Sequence, residues 1–185
     1  MTNNQPTWNF SVYDLAYPRH VPDISTPARK AAVAFESVVR NDVVENGAFF
    51  KADGTLILRR VGMANRIPFL ASELAGAMNC LFTHNHPDGL SFSFPDVQIA
   101  ISNRLTEIRA VSAHWRHIMR PVGAWPSVPN VVAAIQTETQ RANAHVHGME
   151  NSGQLSGSFV NWEMQHQIWV FVSRRLNIEY RREAS

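Results

Sequence analysis

The spacing of apolar residues alternates along the chain between a helical period and the period of strands. Residues 1–25 are polar with scattered aromatic residues, and we interpret them as an N-terminal arm. Thr26 followed by Pro27 is typical of a helix start, and apolar residues then recur at helical spacing to about Val43. The next segment, residues 48–58, predicts a β-hairpin that turns at Asp53-Gly54.

The rest of the chain continues this alternation. It predicts a short helix over 68–78, a buried strand over 80–83 and a helix that begins at Pro95. A strand over 108–119, helices over 131–143 and 159–176, and a short strand over 178–180 follow. The Gly, Ser and His content of residues 144–158 indicates a flexible surface loop. With no internal repeat, this order predicts one α/β domain over residues 26–185.

The composition is that of a globular domain with a large core. Hydrophobic residues make up 45% of the chain and charged residues 17%, and ten Phe and five Trp supply bulky apolar side chains. Folding therefore does not require a disulfide or a structural metal. The single cysteine, Cys80, excludes an internal disulfide and a four-cysteine zinc site.

Charge and targeting signals restrict the partners. The net charge is only +2, so the paired arginines at 59–60, 174–175 and 181–182 are the sole support for nucleic-acid binding, which we do not expect. The chain shows neither a secretory signal pattern nor about 20 consecutive apolar residues. We expect a soluble cytoplasmic protein without a membrane partner, whose oligomeric state the sequence leaves open.

Candidate metal ligands follow the predicted strand over 80–83. On an extended chain His84 and His86 point to the same face, so both imidazoles can bind one ion. Asp96 comes ten residues after His86, where a helix start can return it as a third ligand. Three protein ligands leave the fourth tetrahedral position of a zinc ion to water, which is typical of catalytic sites. Taken alone, Ser93 to Asp96 also fits a helix capping box.

The pattern His84-x-His86-Pro87-x-Gly89 followed by Ser93-x-x-Asp96 resembles the JAB/MPN (JAMM) metallopeptidase motif. Its residues, His-Asn-His-Pro together with Phe92-Ser93, resemble the motif of the bacterial and phage branch, which includes RadC-like proteins. The resemblance covers about residues 31–120. It implies a central mixed β-sheet flanked by helices, an architecture that also resembles cytidine deaminases.

The resemblance implies a role for each residue of the motif. His84, His86 and Asp96 would bind Zn²⁺, Ser93 would help to stabilise the tetrahedral intermediate, and an upstream glutamate would activate water. Glu45 is the best-placed glutamate, with Glu36 and Glu73 as alternatives that we interpret as helix surface. Six residues separate His86 from Ser93, one fewer than in the commonest form of the motif, so Ser91 competes with Ser93.

The other histidines are interpreted as loop or surface residues. His145 and His147 repeat the ligand spacing, and His114 and His117 form another candidate pair, but neither has a well-placed acid after a buried strand. The His-x-Glu and Pro-Cys-x-x-Cys pattern of zinc deaminases is missing.

The expected activity is zinc-dependent hydrolysis of peptide or isopeptide bonds, in polypeptides or ubiquitin-like conjugates. Two alternatives remain: a catalytically quiet JAB/MPN binding or scaffolding module, and a RadC-like protein associated with nucleic acid. Phe92 and Phe94 are candidates for the lining of a peptide groove.

Overall fold

The computed structural model describes residues 20–185 and shows an α/β fold with a six-stranded mixed sheet flanked by helices. The strands are β1 (Asn46–Phe50), β2 (Leu56–Val61), β3 (Leu81–Asn85), β4 (Glu107–Val111), β5 (Trp115–Pro121) and β6 (Ile178–Ala184). Their order in the sheet is β2-β1-β3-β4-β5-β6. Only β3 and β4 run parallel, and the other neighbours are antiparallel.

Five helices cover the sheet: α1 (Pro27–Val39), α2 (Ala71–Leu74), α3 (Phe94–Ser102), α4 (Val128–Asn151) and α5 (Val160–Leu176). Helix α1 packs on one face, where Ala28 and Ala32 meet Ala48, Phe50 and Leu81. The larger core lies on the other face. It joins residues of β1, β3, β4 and β5 to α3, α4 and α5, among them Phe49, Phe82, Ile108, Met119, Val97, Val131 and Trp169.

Two sequence predictions about the first half are confirmed. Thr26 caps α1, because its hydroxyl accepts a hydrogen bond from the Arg29 N–H at 3.2 Å, and Pro27 occupies the first turn. The hairpin of β1 and β2 turns at Asp53-Gly54, and the Gly54 N–H donates to the Lys51 carbonyl at 2.8 Å. The helix predicted over 68–78 is shorter than expected and covers only α2.

The strand predicted over 108–119 is wrong in one respect, because it is a hairpin of β4 and β5. The chain reverses at residues 112–114 without Gly or Pro. The Ser112 side chain takes their place, since its hydroxyl accepts from the Trp115 N–H at 3.0 Å and from the His114 N–H at 3.3 Å.

The flexible loop predicted over 144–158 is also wrong for most of its length. Helix α4 continues to Asn151, so that only residues 152–156 connect it to a 3₁₀ turn at Gly157–Phe159. Ala142 and Val146 extend the buried stripe of α4, and this burial outweighs the roughly 1 kcal/mol that Gly148 costs inside a helix.

The first described residue, His20, contacts β6, which is longer than the predicted strand. The His20 N–H donates to the Ala184 carbonyl, and the Ala184 N–H donates to His20 Nδ1, both at 3.0 Å. Most of the predicted N-terminal arm, residues 1–19, lies outside the described residues. Across residues 20–185, no helix combines the length and the apolar character that crossing a membrane requires.

Candidate metal centre

The candidate ligands His84, His86 and Asp96 meet at the end of β3. His84 belongs to the strand and is 1% exposed, and His86 lies just beyond it, where its N–H donates to the Val111 carbonyl of β4 at 2.8 Å. Because alternate residues of a strand face the same side, both rings reach one point. Their Nε2 atoms are 2.8 Å apart. A contact between His86 Nδ1 and the Leu90 carbonyl, at 3.0 Å, orients the second ring.

Asp96 is returned to the histidines by the first turn of α3. One carboxylate oxygen lies 3.4 Å from His84 Nε2 and the other lies 3.5 Å from His86 Nε2. The capping box is present as well, since Ser93 N–H and Ser93 Oγ both lie 2.7 Å from Asp96 Oδ2. Ser93 to Asp96 is therefore a helix cap whose acid also faces the two imidazoles.

The donor set fits a divalent transition metal. The two ring nitrogens and the carboxylate oxygen lie within 4.8 Å of one another. Ligands at 2.0 to 2.1 Å from a tetrahedral zinc stand about 3.3 Å apart, close to both His-Asp distances. The closer approach of the two imidazoles would open by about half an ångström. Two imidazoles with one carboxylate suit zinc and also iron(II).

Electrostatics at the three residues favour a bound cation. Burial lowers the pKa of the His84 imidazole, which keeps this ring neutral. Burial also opposes the charging of His86, but the hydrogen bond and charge of Asp96 outweigh it and raise the pKa of His86 to about 9. Burial would raise the pKa of Asp96, yet both histidines hold it well below its usual range. A metal ion would therefore displace a proton from His86.

Glu45 lies beside this group, immediately before β1. Gly47 pairs with His84 in the antiparallel β1–β3 register, which places residue 45 opposite residue 86. The Glu45 N–H donates to the Met63 carbonyl, and its own carbonyl accepts from the Gly62 N–H, both at 2.7 Å. The residue is 7% exposed, and burial raises the pKa of its carboxyl to about 7. Glu45 therefore has the proton affinity of a general base near neutral pH.

The competing glutamates are held elsewhere. The interpretation of Glu36 as helix surface is wrong, because it is fully buried against the opposite face of the sheet. Its carboxylate lies 2.6 Å from both Arg109 Nε and Arg116 Nε. Glu73 forms an ion pair with Arg60 and accepts from the Leu70 N–H at 2.7 Å.

The two candidate serines differ in what their hydroxyls contact. Ser91 is buried, and its Oγ lies 2.9 Å from the Tyr180 hydroxyl. Ser93 is exposed, and its hydroxyl donates a hydrogen bond to the Asp96 carboxylate. Of the two hydroxyls, that of Ser93 is therefore the one in direct contact with a candidate metal ligand, Asp96.

A cleft of about 500 Å³ opens beside the ligands. Glu45, His86, Ser93 and Asp96 form its polar end. Its walls carry Phe92 and Phe94, the two residues expected near a peptide groove, together with apolar side chains of α4 and α5. Phe92 is buried in the core, whereas Phe94 is half-buried. Two of the candidate ligands, His86 and Asp96, thus face a space that a small substrate can enter.

Sequence reasoning missed the tryptophans of α5 that hold the loop between His86 and Ser93. Trp162 Nε1 donates to the Asp88 carbonyl at 2.9 Å, and Trp169 Nε1 donates to the Phe92 carbonyl at 2.6 Å. Gly89 adopts a φ of +78°, and a Cβ there would lie 3.2 Å from the Trp162 ring. No spacing in the sequence links α5 to this loop 70 or more residues away.

The interpretation of His117 as a surface residue is also wrong. His117 lies on the same face of β5 as the buried Trp115 and Met119. Its Nδ1 lies 3.0 Å from the Tyr180 hydroxyl. His166 Nδ1 contacts the same hydroxyl at 2.9 Å. Burial lowers the pKa of both imidazoles, that of His166 to about 3. His145 and His147 are exposed on α4, as expected for surface residues, although on a helix rather than a loop.

Comparison of the chain with protein-family models, with curated proteins and with solved structures finds no match. The case for a function therefore rests on the motif and on the geometry of the residues that form it.

Proposed function

We propose that this protein is a zinc-dependent hydrolase of peptide or isopeptide bonds, of the JAB/MPN (JAMM) type and its bacterial and phage branch. The observation that carries the proposal is the convergence of His84, His86 and Asp96 beside a cleft that Glu45, His86 and Asp96 line. Zinc held there would lower the pKa of a bound water towards 7 and polarise the amide carbonyl.

Glu45 would move the proton in this reaction. Burial raises the pKa of its carboxyl to about 7 in the metal-free protein. Beside a zinc-bound water, the carboxylate would accept a proton from the attacking water and then give it to the leaving amine. The water oxygen would first add to the carbonyl carbon to give a tetrahedral intermediate. The C–N bond would then break as the nitrogen takes the proton from Glu45, which yields a carboxylate and an amine without a covalent enzyme intermediate.

Ser93 would stabilise the negative oxygen that develops on the substrate carbonyl. Its hydroxyl lies 2.7 Å from Asp96 Oδ2 and would have to turn towards the substrate to donate there. The N-terminus of α3, next to Ser93, adds a favourable partial positive charge.

The RadC-like alternative, with a nucleic-acid partner, receives little support from the arginine pairs. Arg60, Arg175, Arg181 and Arg182 each form an ion pair with a glutamate: Glu73, Glu138, Glu179 and Glu163 respectively. These contacts reduce the positive charge available for phosphates.

The proposal is tested by loading the purified protein with Zn²⁺ and screening peptides and isopeptide conjugates for cleavage. We expect the zinc-loaded protein to generate new amine and carboxylate ends on its substrate. A Glu45→Gln control that binds the same amount of zinc should generate them at least about 100-fold more slowly. Stoichiometric zinc without any cleavage would instead support the quiet binding module.

A further inference from the structure

The cleft beside the candidate ligands has a mainly apolar surface. Its polar lining consists of the group around His86 and Asp96 together with Asn65, Arg66, Asp88 and Gln165. Seven apolar side chains that are only partly buried by the rest of the chain line the walls of the cleft: Ile67, Phe69, Leu90, Phe94, Ile99, Ile135 and Ile168. Removal of such apolar surface from water is favourable, so binding of an apolar group that covers it is favoured.

The walls come from four separate parts of the fold. Ile67 and Phe69 precede α2, Leu90, Phe94 and Ile99 belong to α3 and the loop before it, and α4 and α5 contribute Ile135 and Ile168. Trp169 of α5 also lines the cleft, and its hydrogen bond to the Phe92 carbonyl ties this wall to the loop that carries the ligands. The wall from α5 is therefore held next to the loop that carries the ligands.

The size of the cleft selects among amide substrates. Its volume of about 500 Å³ lies within the range of small-molecule sites, roughly 300 to 1,000 Å³. A glycine-flanked isopeptide bond has no side chain that would cover these walls. An aromatic or branched aliphatic group would cover them while the adjoining amide lies at the polar end.

We propose that the substrate carries a bulky apolar group, aromatic or branched aliphatic, next to the scissile amide, and that the cleft binds this group. This inference rests on the proposed amide hydrolysis and narrows its substrate class. It favours short peptides or acylated amides with a large apolar substituent over bonds flanked by glycine.

Two matched pairs of metal-binding probes test the inference on both sides of the scissile bond. Phenylacetohydroxamate and acetohydroxamate differ on the acyl side, and N-formyl-N-hydroxybenzylamine and N-formyl-N-hydroxymethylamine differ on the amine side. Calorimetric titration of the zinc-loaded protein should show that the larger member of at least one pair binds about 10- to 100-fold more tightly. Equal affinities within both pairs, or no binding by any probe, would overturn the proposal.

A cavity-filling variant identifies the surface responsible. Ile135→Trp should reduce the preference to less than about threefold, whereas Ile24→Trp, at a site 53% exposed and outside the cleft, should leave it unchanged. If Ile135→Trp does not fold, Ile168→Ala should shift the preference towards larger naphthyl probes. If neither the change at Ile135 nor the change at Ile168 alters the preference for bulky probes, the cleft is not the surface that binds them.

The outcomes separate this inference from the proposed hydrolysis. A zinc-loaded protein that prefers the bulky probes but cleaves no amide would support the cleft and contradict the hydrolase. If the protein takes up no zinc, N-acetylphenylalaninamide should still bind more tightly than N-acetylglycinamide to the metal-free protein, as followed by NMR. A dimer that becomes monomeric in Ile135→Trp would mean that a second copy covers the cleft, and would overturn the proposal.

Discussion

The two faces of the central sheet solve the problem of buried charge in different ways. Under α1, Glu36 is surrounded by Arg109 and Arg116, and it accepts from the Thr83 hydroxyl at 2.9 Å. On the other face, the neighbouring residue His84 meets His86 and Asp96. The first group is neutralised by the chain itself, whereas the second offers donor atoms that suit an added cation.

The difference separates residues that stabilise the fold from residues that are poised for chemistry. Adjacent residues of one strand, Thr83 and His84, serve the two groups because a strand alternates its faces. A matched change, glutamate to glutamine, can therefore be made on each face and should have opposite consequences.

The largest expected effect is that of Glu45→Gln on turnover. We expect a 10²- to 10⁴-fold lower rate, about 3 to 5 kcal/mol in the barrier, because the water loses its proton acceptor. Zinc content should stay unchanged, since Glu45 is not one of the three candidate ligands. Steady-state kinetics alongside metal analysis checks this, and full turnover in the variant would exclude Glu45 as the base.

The same variant should not lose stability. In the metal-free protein, burial raises the pKa of Glu45 from 4.5 to about 7, so its ionisation opposes folding. This cost is absent below about pH 4.5 and complete above pH 7.

The matched variant on the opposite face, Glu36→Gln, should destabilise the protein by about 3 to 5 kcal/mol, because Arg109 and Arg116 would be left buried without a full counter-charge. Urea unfolding of the metal-free protein measures this loss. Glu150→Gln is the surface control, since Glu150 forms an exposed ion pair with His147 on α4, and it should cost less than about 1 kcal/mol. Equal losses of stability in Glu36→Gln and Glu45→Gln would contradict the distinction between the two faces of the sheet.

Removing a ligand should affect the metal more than the fold. Asp96→Ala should weaken zinc binding at least about 100-fold, because it takes away a direct ligand of the ion. It should also lower the stability of the metal-free protein by about 1 kcal/mol, since Ser93 loses its capping partner. Chelator competition and urea unfolding give the two values, and unchanged tight zinc binding would leave only the capping role.

The smallest effect concerns pH. Because the pKa of His86 is raised to about 9, zinc binding near neutral pH releases roughly one proton. Apparent zinc affinity should therefore rise about tenfold for each pH unit between pH 6 and 8 and level off above pH 9. Competition with a chelator of known proton affinity measures it, and an affinity independent of pH would show that His86 is not the group displaced.

The sequence predicted the parts of the site that depend on local geometry. The i and i+2 spacing of His84 and His86 and the capping box at Ser93 to Asp96 are short-range patterns, and both are present. Contacts between distant segments were not accessible in this way. The ion pairs of Glu36 and the hydrogen bond from Trp169 to the ligand loop join residues about 70 or more positions apart.

Some errors came from reading composition instead of period. In α4, the buried residues Val131, Ala134, Glu138 and Ala142 set a helical spacing that Val146, inside the segment predicted as a loop, continues by one more turn. His117 likewise has the two-residue spacing that places it on the same buried face of β5 as Trp115 and Met119. In both places the periodic pattern predicts the structure better than the presence of Gly or His.

X-ray absorption at the zinc edge of the metal-loaded protein tests the central claim most directly. We expect one zinc per chain with two imidazole nitrogens at about 2.0 to 2.1 Å, one carboxylate oxygen, and a fourth ligand from solvent. A zinc shell without imidazole scattering, or with four protein ligands, would contradict it.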